Sequence, residues 1–198
     1  MVEVQFDDDT AFSIGSDVAK RLGLKPAQAV DDNALDRLLS EVDGNRCYEA
    51  ALHYLEYRSR SENELKRHLL LKHKFSSASV ERSVERLKIS GLLDDRAFAQ
   101  AWVNDRIAFK PKSRLLIRKE LMQKGLSPDA IADATSEVDD VGSAYQAGLK
   151  KAMLLRNQSY QDFSKRLSAY LGRRGYSSEV VRTIVNRLWQ EVIKNKQK

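Results

Sequence analysis

Lys124-Gly125-Leu126-Ser127-Pro128-Asp129-Ala130-Ile131 reads as the end of one helix and the start of the next. Gly125 suits the left-handed residue that closes a helix without a side-chain clash. Ser127 suits an N-cap, where its hydroxyl accepts an orphan amide of the first turn. Pro128 suits the first helical position, which needs no amide. The pattern recurs. Phe75-Ser76 precedes Leu126-Ser127 by 51 residues and Tyr176-Ser177 follows it by 50. Five residues after each bulky apolar residue stand Val80, Ile131 and Val181, and twelve after it stand Leu87, Val138 and Leu188. Upstream, Leu65 and Leu69 match Ile117 and Leu121, which match Leu167 and Leu171. One cap and one apolar face repeated three times describe an internal repeat of about 50 residues.

Each repeat divides into three helical stretches. The first predicts helices over 47–57, 62–72 and 77–89, the second over 95–109, 113–124 and 128–138, and the third over 141–155, 160–171 and 178–193. Ser61 and Glu64 are spaced as a capping box. Gly91, Gly125 and Gly175 fall at helix exits. Tyr54, Phe98, Trp102 and Trp189 lie on apolar faces and are expected in the cores rather than as base-stacking platforms. Ahead of the repeats, Val2, Val4 and Phe6 alternate with polar residues, Asp7-Asp8-Asp9 reads as a solvated turn, and Ala11–Ile14 resumes an extended pattern. A small hairpin is the expectation. A short helix from Ser16 to Leu22 and another capped by Asp31 or Asp32 follow, and Asp43-Gly44-Asn45 reads as a break. The expected fold class is all-α: three tandem three-helix repeats, elongated or curved, behind an N-terminal extension of hairpin and helix. The expected boundaries are 1–44 for the acidic extension, then 45–92, 93–139 and 140–198 for the repeats.

Composition limits the function classes. Hydrophobic residues make up 42% and charged residues 31%, which fits folded helices with wide polar faces rather than a disordered tail. No apolar run approaches the roughly 20 residues that span a bilayer, and Met1–Phe6 lacks the basic and apolar regions of a secretory leader. With Cys47 as the single cysteine, an internal disulfide is impossible. A cytoplasmic monomer without membrane association is the expectation. No His or Lys is placed to lower the Cys47 pKa, so a buried inert thiol is expected there. His53, His68 and His73 lack the spacing and companions of a metal set. A glycine-rich phosphate loop is absent. Asp94-Asp95 precede a helix, where capping accounts for both. No enzyme, metal or cofactor is predicted.

The net charge of +6 conceals an asymmetry: residues 1–45 hold four basic and ten acidic side chains, net −6, and residues 46–198 hold thirty and eighteen, net +12. The cations recur near the middle helix of each repeat, which predicts a basic outer side on all three. The candidate contacts are Arg58 and Arg60 in the first repeat; Arg106, Lys110, Lys112, Arg114, Arg118, Lys119 and Lys124 in the second; and Arg173 and Arg174 in the third. Arg114 and Arg118, four apart, share a helix face. These pairs are expected to act through charge and not through folding. Guanidinium groups bind phosphates or carboxylates with two parallel hydrogen bonds, so the stripe fits DNA or an acidic protein surface.

Four stretches resemble the RecX family. Tyr57-Arg58-Ser59-Arg60-Ser61-Glu62-Asn63-Glu64-Leu65 is similar to its YRxRSxxEL signature, and Leu92-Leu93-Asp94-Asp95-Arg96-Ala97-Phe98-Ala99 to its LxDDxxFA. Glu120–Leu126 resembles ELxxKG. Leu171-Gly172-Arg173-Arg174-Gly175-Tyr176 resembles LxRRGF, with Tyr in place of Phe. They lie in the family's order across residues 46–192. The resemblance implies three tandem three-helix repeats, no activity of the chain's own, and a RecA partner. Members of the family lodge in the groove of the RecA–DNA filament and restrain its growth, strand exchange and ATPase. Weak, non-specific contact with single- and double-stranded DNA is the further expectation. Two alternatives remain on sequence alone: a sequence-tolerant DNA-binding repeat protein without obligate RecA contact, and a helix-turn-helix regulator. Against the latter, no helix gathers the Asn, Gln and Arg that read bases.

Overall fold

The computed structural model describes residues 2–5, 11–21, 25 and 31–194. The predicted turn at Asp7–Asp9 and the predicted end of the first helix lie outside them. Strands β1 (Val2–Gln5) and β2 (Ala11–Ile14) form the expected antiparallel hairpin, with Val2 opposite Ile14 and Gln5 opposite Ala11. Helix α1 (Ser16–Arg21) follows. Ile14, Ala19 and Leu38 form a small core of their own, supported by Leu35 and Val42.

Three three-helix groups succeed it. Helices α2 (Asp32–Glu56), α3 (Glu62–Leu71) and α4 (Ser77–Ile89) build the first. Helices α5 (Asp95–Phe109), α6 (Arg114–Gln123) and α7 (Pro128–Thr135) build the second. Helices α8 (Asp140–Leu154), α9 (Tyr160–Gly172) and α10 (Ser178–Lys194) build the third. The predicted caps form at Ser61, Ser76, Ser127 and Ser177, whose hydroxyl accepts the Val180 amide at 3.3 Å, and the structure adds caps at Ser113 and Ser159. The side chains of Ser61, Ser76, Ser113, Ser127 and Ser159 each accept the amide three residues on. Ser61 and Glu64 close a full capping box. Asp94 takes the amides of Arg96 and Ala97 at 2.8 and 3.0 Å, as a helix-opening acid should. The three cores share one register. Leu65, Ile117 and Leu167 are fully buried, as are Leu69, Leu121 and Leu171, and Leu87 and Leu188 match the nearly buried Val138.

Contacts divide the chain into two compact units, Met1–Leu93 and Asp94–Lys198. The first holds the hairpin and the first repeat. The expected break at Asp43-Gly44-Asn45 is absent, for α2 runs unbroken through it. Glycine inside a helix costs about 1 kcal/mol relative to alanine, and tertiary bonds offset it. The Asp43 carboxylate accepts the hydroxyls of Ser76 and Ser79 at 3.1 and 2.6 Å. Arg82 donates to the carbonyl and hydroxyl oxygens of Ser40. Helix α7 also ends three residues earlier than expected. Val138 nevertheless reaches the core, its amide bonded to the Thr135 carbonyl.

The second unit joins two repeats through their main chains. The Ser113 amide donates to the Arg174 carbonyl at 3.0 Å, and the Arg114 amide donates to the Asp140 carboxylate at 2.6 Å. Buried Ser143 and Tyr176 share a hydrogen bond of 2.8 Å, and the Ser143 hydroxyl also reaches the Lys112 carbonyl at 3.4 Å. Gly175 sits in this contact with φ +84, where a Cβ would lie 2.5 Å from Ser113 Oγ and 2.9 Å from Leu116 Cβ. The equivalent turn of the first repeat is exposed and carries Lys74 at φ 61. At Gly175 the close neighbour, more than the dihedral, demands glycine. Gly175→Ala is therefore expected to destabilise the second unit by about 2–4 kcal/mol, combining strain and overpacking. Gly91→Ala, with φ +70 and nothing within 4 Å of the added carbon, is expected to cost about 1 kcal/mol. Urea unfolding of the two variants measures the difference.

Candidate functional site

The second repeat presents its cations around one carboxylate. Glu120 lies on the inner side of α6 with its side chain 16% exposed. Its Oε2 accepts the Trp102 indole N–H at 2.9 Å and Arg106 Nε at 2.7 Å, and its Oε1 accepts Lys112 Nζ. Arg106 also stacks 4.2 Å from the Trp102 ring centroid and bonds Asp105 at 2.7 Å, while Lys124 lies 5.0 Å from the same ring. Burial alone would push the Glu120 carboxyl up. Hydrogen bonds from Lys112, Arg106 and Trp102 outweigh it and hold the group below the usual carboxylate range.

This arrangement corrects two expectations for the strip. Arg106 and Lys112 turn inward onto Glu120 because the carboxylate, half desolvated beside Trp102, needs charged donors. Arg114 is a joint residue. Its guanidinium donates to the Val138 carbonyl at 2.6 Å, so it has a part in the fold, contrary to the expectation of charge alone. In the third repeat Arg174 stacks 3.7 Å over Tyr170, and its carbonyl serves the joint. The joint thus brings Lys112 and Arg114 to the Arg173-Arg174 turn. In the first unit, Arg58 pairs with Glu64 at 3.2 Å, inside the capping box. Arg60 lies 4.2 Å over Tyr54, which itself stacks on His68 at 3.6 Å.

At α3 the expected basic outer side is partly neutralised, with Arg67 left exposed. Lys66 pairs with Glu62 and Glu81 at 2.9 and 2.7 Å, and Lys88 also bonds Glu62 at 3.1 Å. These partners outweigh burial and lower the Glu62 pKa. Lys110, Arg118, Lys119 and Arg173 are also exposed, and among the described residues none of their side chains has an ion-pair, hydrogen-bond or ring partner. Sequence reasoning missed two neighbours of this group. Leu115 and Met122 on α6 are 69% and 65% exposed. Their signal was available: both stand off the stripe of Ile117 and Leu121 that faces the core.

Cys47 is buried, and desolvation pushes its thiol up. Among the described residues no three His, Cys, Asp or Glu side chains are grouped to hold a metal, and no helix is long and apolar enough to cross a membrane. A cleft of about 360 Å³ between α9 and α10 is lined by Ser164, Ser168, Gly172 and Val181, with Arg182 as its one charged lining residue.

Comparison with known proteins gives a consistent answer. Residues 47–87 match the family model for the first three-helix domain of RecX, and residues 94–134 match that for the second. Regulatory protein RecX of Chlorobium phaeobacteroides is 31% identical over 152 residues, covering 77% of this chain and 99% of that protein. Its counterpart in Pelodictyon phaeoclathratiforme is 36% identical over 142 residues, covering 72% and 81%. A crystal structure of regulatory protein RecX aligns with a TM-score of 0.76 at 24% identity, over 93% of this chain and 94% of that one. The likeness in structure establishes the shared fold.

The Glu120 cluster makes a prediction with a definite sign in pH. A carboxyl whose folded pKa is lowered stabilises the fold above its unfolded pKa, and that stability is lost as pH falls through the folded pKa. Glu120→Gln is expected to lose about 2 kcal/mol at pH 7, since it strips two half-buried cations of their partner. The gap between variant and parent should begin to close as pH falls below the ordinary carboxyl value of 4.5. Unfolding free energies measured between pH 7 and pH 3 test this, and a gap that widened toward acid would contradict it.

Proposed function

The chain belongs to the RecX family, a family of regulatory proteins rather than enzymes, and from that premise we propose that it restrains RecA recombinase by binding in the groove of the RecA–DNA filament. In this role it is a cytoplasmic monomer that hinders filament growth, strand exchange and the coupled ATPase, and its own contact with bare single- or double-stranded DNA is weak and non-specific. The observation that carries the reading is the set of outward cations left unpaired by the fold. Lys110, Arg118 and Lys119 in the second repeat and Arg173 in the third point to solvent without an acid partner among the described residues. The neighbouring Arg106, Lys112 and Arg114 are consumed by structural contacts. A fold that pairs its structural cations and leaves others bare has an available counter-surface for polyanion.

The role of each candidate changes accordingly. Lys110, Arg118, Lys119 and Arg173 make the contact directly. Arg106, Lys112, Arg114, Lys124 and Arg174 set the position of α6 and of the turn beside it. Arg58 and Arg60 provide a secondary contact in the first unit. Arg118→Glu with Lys119→Glu is expected to raise at least tenfold the protein needed to halve RecA ATPase on single-stranded DNA. The double variant should melt as the parent does, because both positions are exposed. Lys165→Glu with Arg166→Glu, an equal charge change at two exposed positions of α9, should inhibit within about twofold of the parent. Equal loss in both variants would make the effect one of net charge, and no loss in the α6 variant would place the contact elsewhere.

A further inference from the structure

The outer face of α6 combines charge with apolar surface in a way the fold does not require. Leu115, Arg118, Lys119 and Met122 follow one another at intervals of three, one and three, so all four share one side of the helix. The opposite side holds the fully buried Ile117 and Leu121. Arg118 and Lys119 meet no acid among the described residues, and Leu115 and Met122 flank them in solvent.

The other middle helices serve as internal controls, since they pack the same two core positions. In the register of those positions, α3 carries Asn63, Lys66, Arg67 and Leu70 on this face, and α9 carries Lys165, Ser168, Ala169 and Gly172. Lys66 is held by two acids, and Leu70 packs against the first core. Only in α6 do two exposed large apolar side chains bracket two unpaired cations. Stability of the repeat therefore does not account for them, because the two sister helices do without them.

We propose that this face of α6 docks on an acidic protein surface with an apolar centre, supplied by the filament protein itself, and not on DNA. The proposal rests on the reading that the chain acts on RecA filaments. Charge complementarity calls for carboxylates opposite Arg118 and Lys119, and the Arg118 guanidinium can hold one through two parallel hydrogen bonds. A phosphate backbone would satisfy the cations equally well, yet its contacts are polar and leave Leu115 and Met122 in water. A protein surface removes both from water, and a buried apolar centre with a charged rim is the ordinary anatomy of such a contact.

The test uses the full chain with Leu115→Gln and Met122→Gln together, after circular dichroism has shown that it melts as the parent does. Leu115→Ala with Met122→Ala, which favours helix, replaces it should the first pair melt early. Binding is measured by anisotropy to labelled single-stranded DNA, bare and coated with RecA. The expected result is at least a tenfold loss of affinity for the coated strand, with affinity for the bare strand within twofold. An unchanged affinity for the coated strand in the folded variant overturns the proposal, and so does an equal loss on both strands, which would make this a nucleic-acid face. A parent that binds the coated strand no better than the bare one removes the RecA reading and the proposal with it. That outcome is seen before any substitution is made and is distinct from failure of the face alone.

Discussion

The second unit depends on one close approach of main chains. The N-terminus of α6 abuts the turn at Arg174-Gly175-Tyr176, near enough that the Ser113 amide bonds the Arg174 carbonyl and that only glycine fits at 175. A three-helix group of this size buries a small core and gains from contact with its neighbour. Here the contact is made of backbone and short polar side chains. Asp139 caps its own helix through the Val141 amide, while the adjacent Asp140 takes the first amide of α6. Two neighbouring carboxylates thus satisfy the starts of two helices in different repeats. The buried Tyr176 hydroxyl bonds Ser143, and burial pushes its pKa up to about 12, so it stays neutral at any ordinary pH.

From this joint follows the division of the cations. Anchoring α6 at its first turn fixes which of its sides meets α5 and which meets water. The inner side places Glu120 beside Trp102 and draws Arg106 and Lys112 onto it. Arg114 is drawn to the Val138 carbonyl at the joint. What remains for a partner is the outer side, where the charges have no internal use. The same basic composition in α3 ends differently, because Glu62 and Glu81 lie within reach of Lys66 and Lys88. Charge in the sequence is therefore a poor guide to charge available at the surface.

Much of the fold was legible because it is local or periodic. Serine caps act within three residues, and the buried trio Leu65, Ile117 and Leu167 stands ten or eleven residues before the cap serines Ser76, Ser127 and Ser177. The misread break at Asp43-Gly44-Asn45 shows the limit. Those residues have the local chemistry of a helix end, and the bonds that keep α2 continuous come from Ser76, Ser79 and Arg82, more than thirty positions away. The candidate site was legible as a region but not as a surface. Arg106 and Arg118 look alike in sequence, and only packing shows that one faces a carboxylate and the other water. The exposed Leu115 and Met122 are readable from their phase against Ile117 and Leu121, but charge alone does not point to them.

The central claim is that the chain meets a RecA filament through the outer side of α6 and the linker before it. Hydrogen exchange of the full chain, alone and bound to RecA-coated single-stranded DNA, addresses this without any substitution. Contact slows the local openings through which helix amides exchange. The account predicts that binding slows exchange across residues 110–123 and leaves the ion-paired segment 62–71 unchanged. Slowing confined to 62–71, with residues 110–123 exchanging as in the free protein, would contradict it.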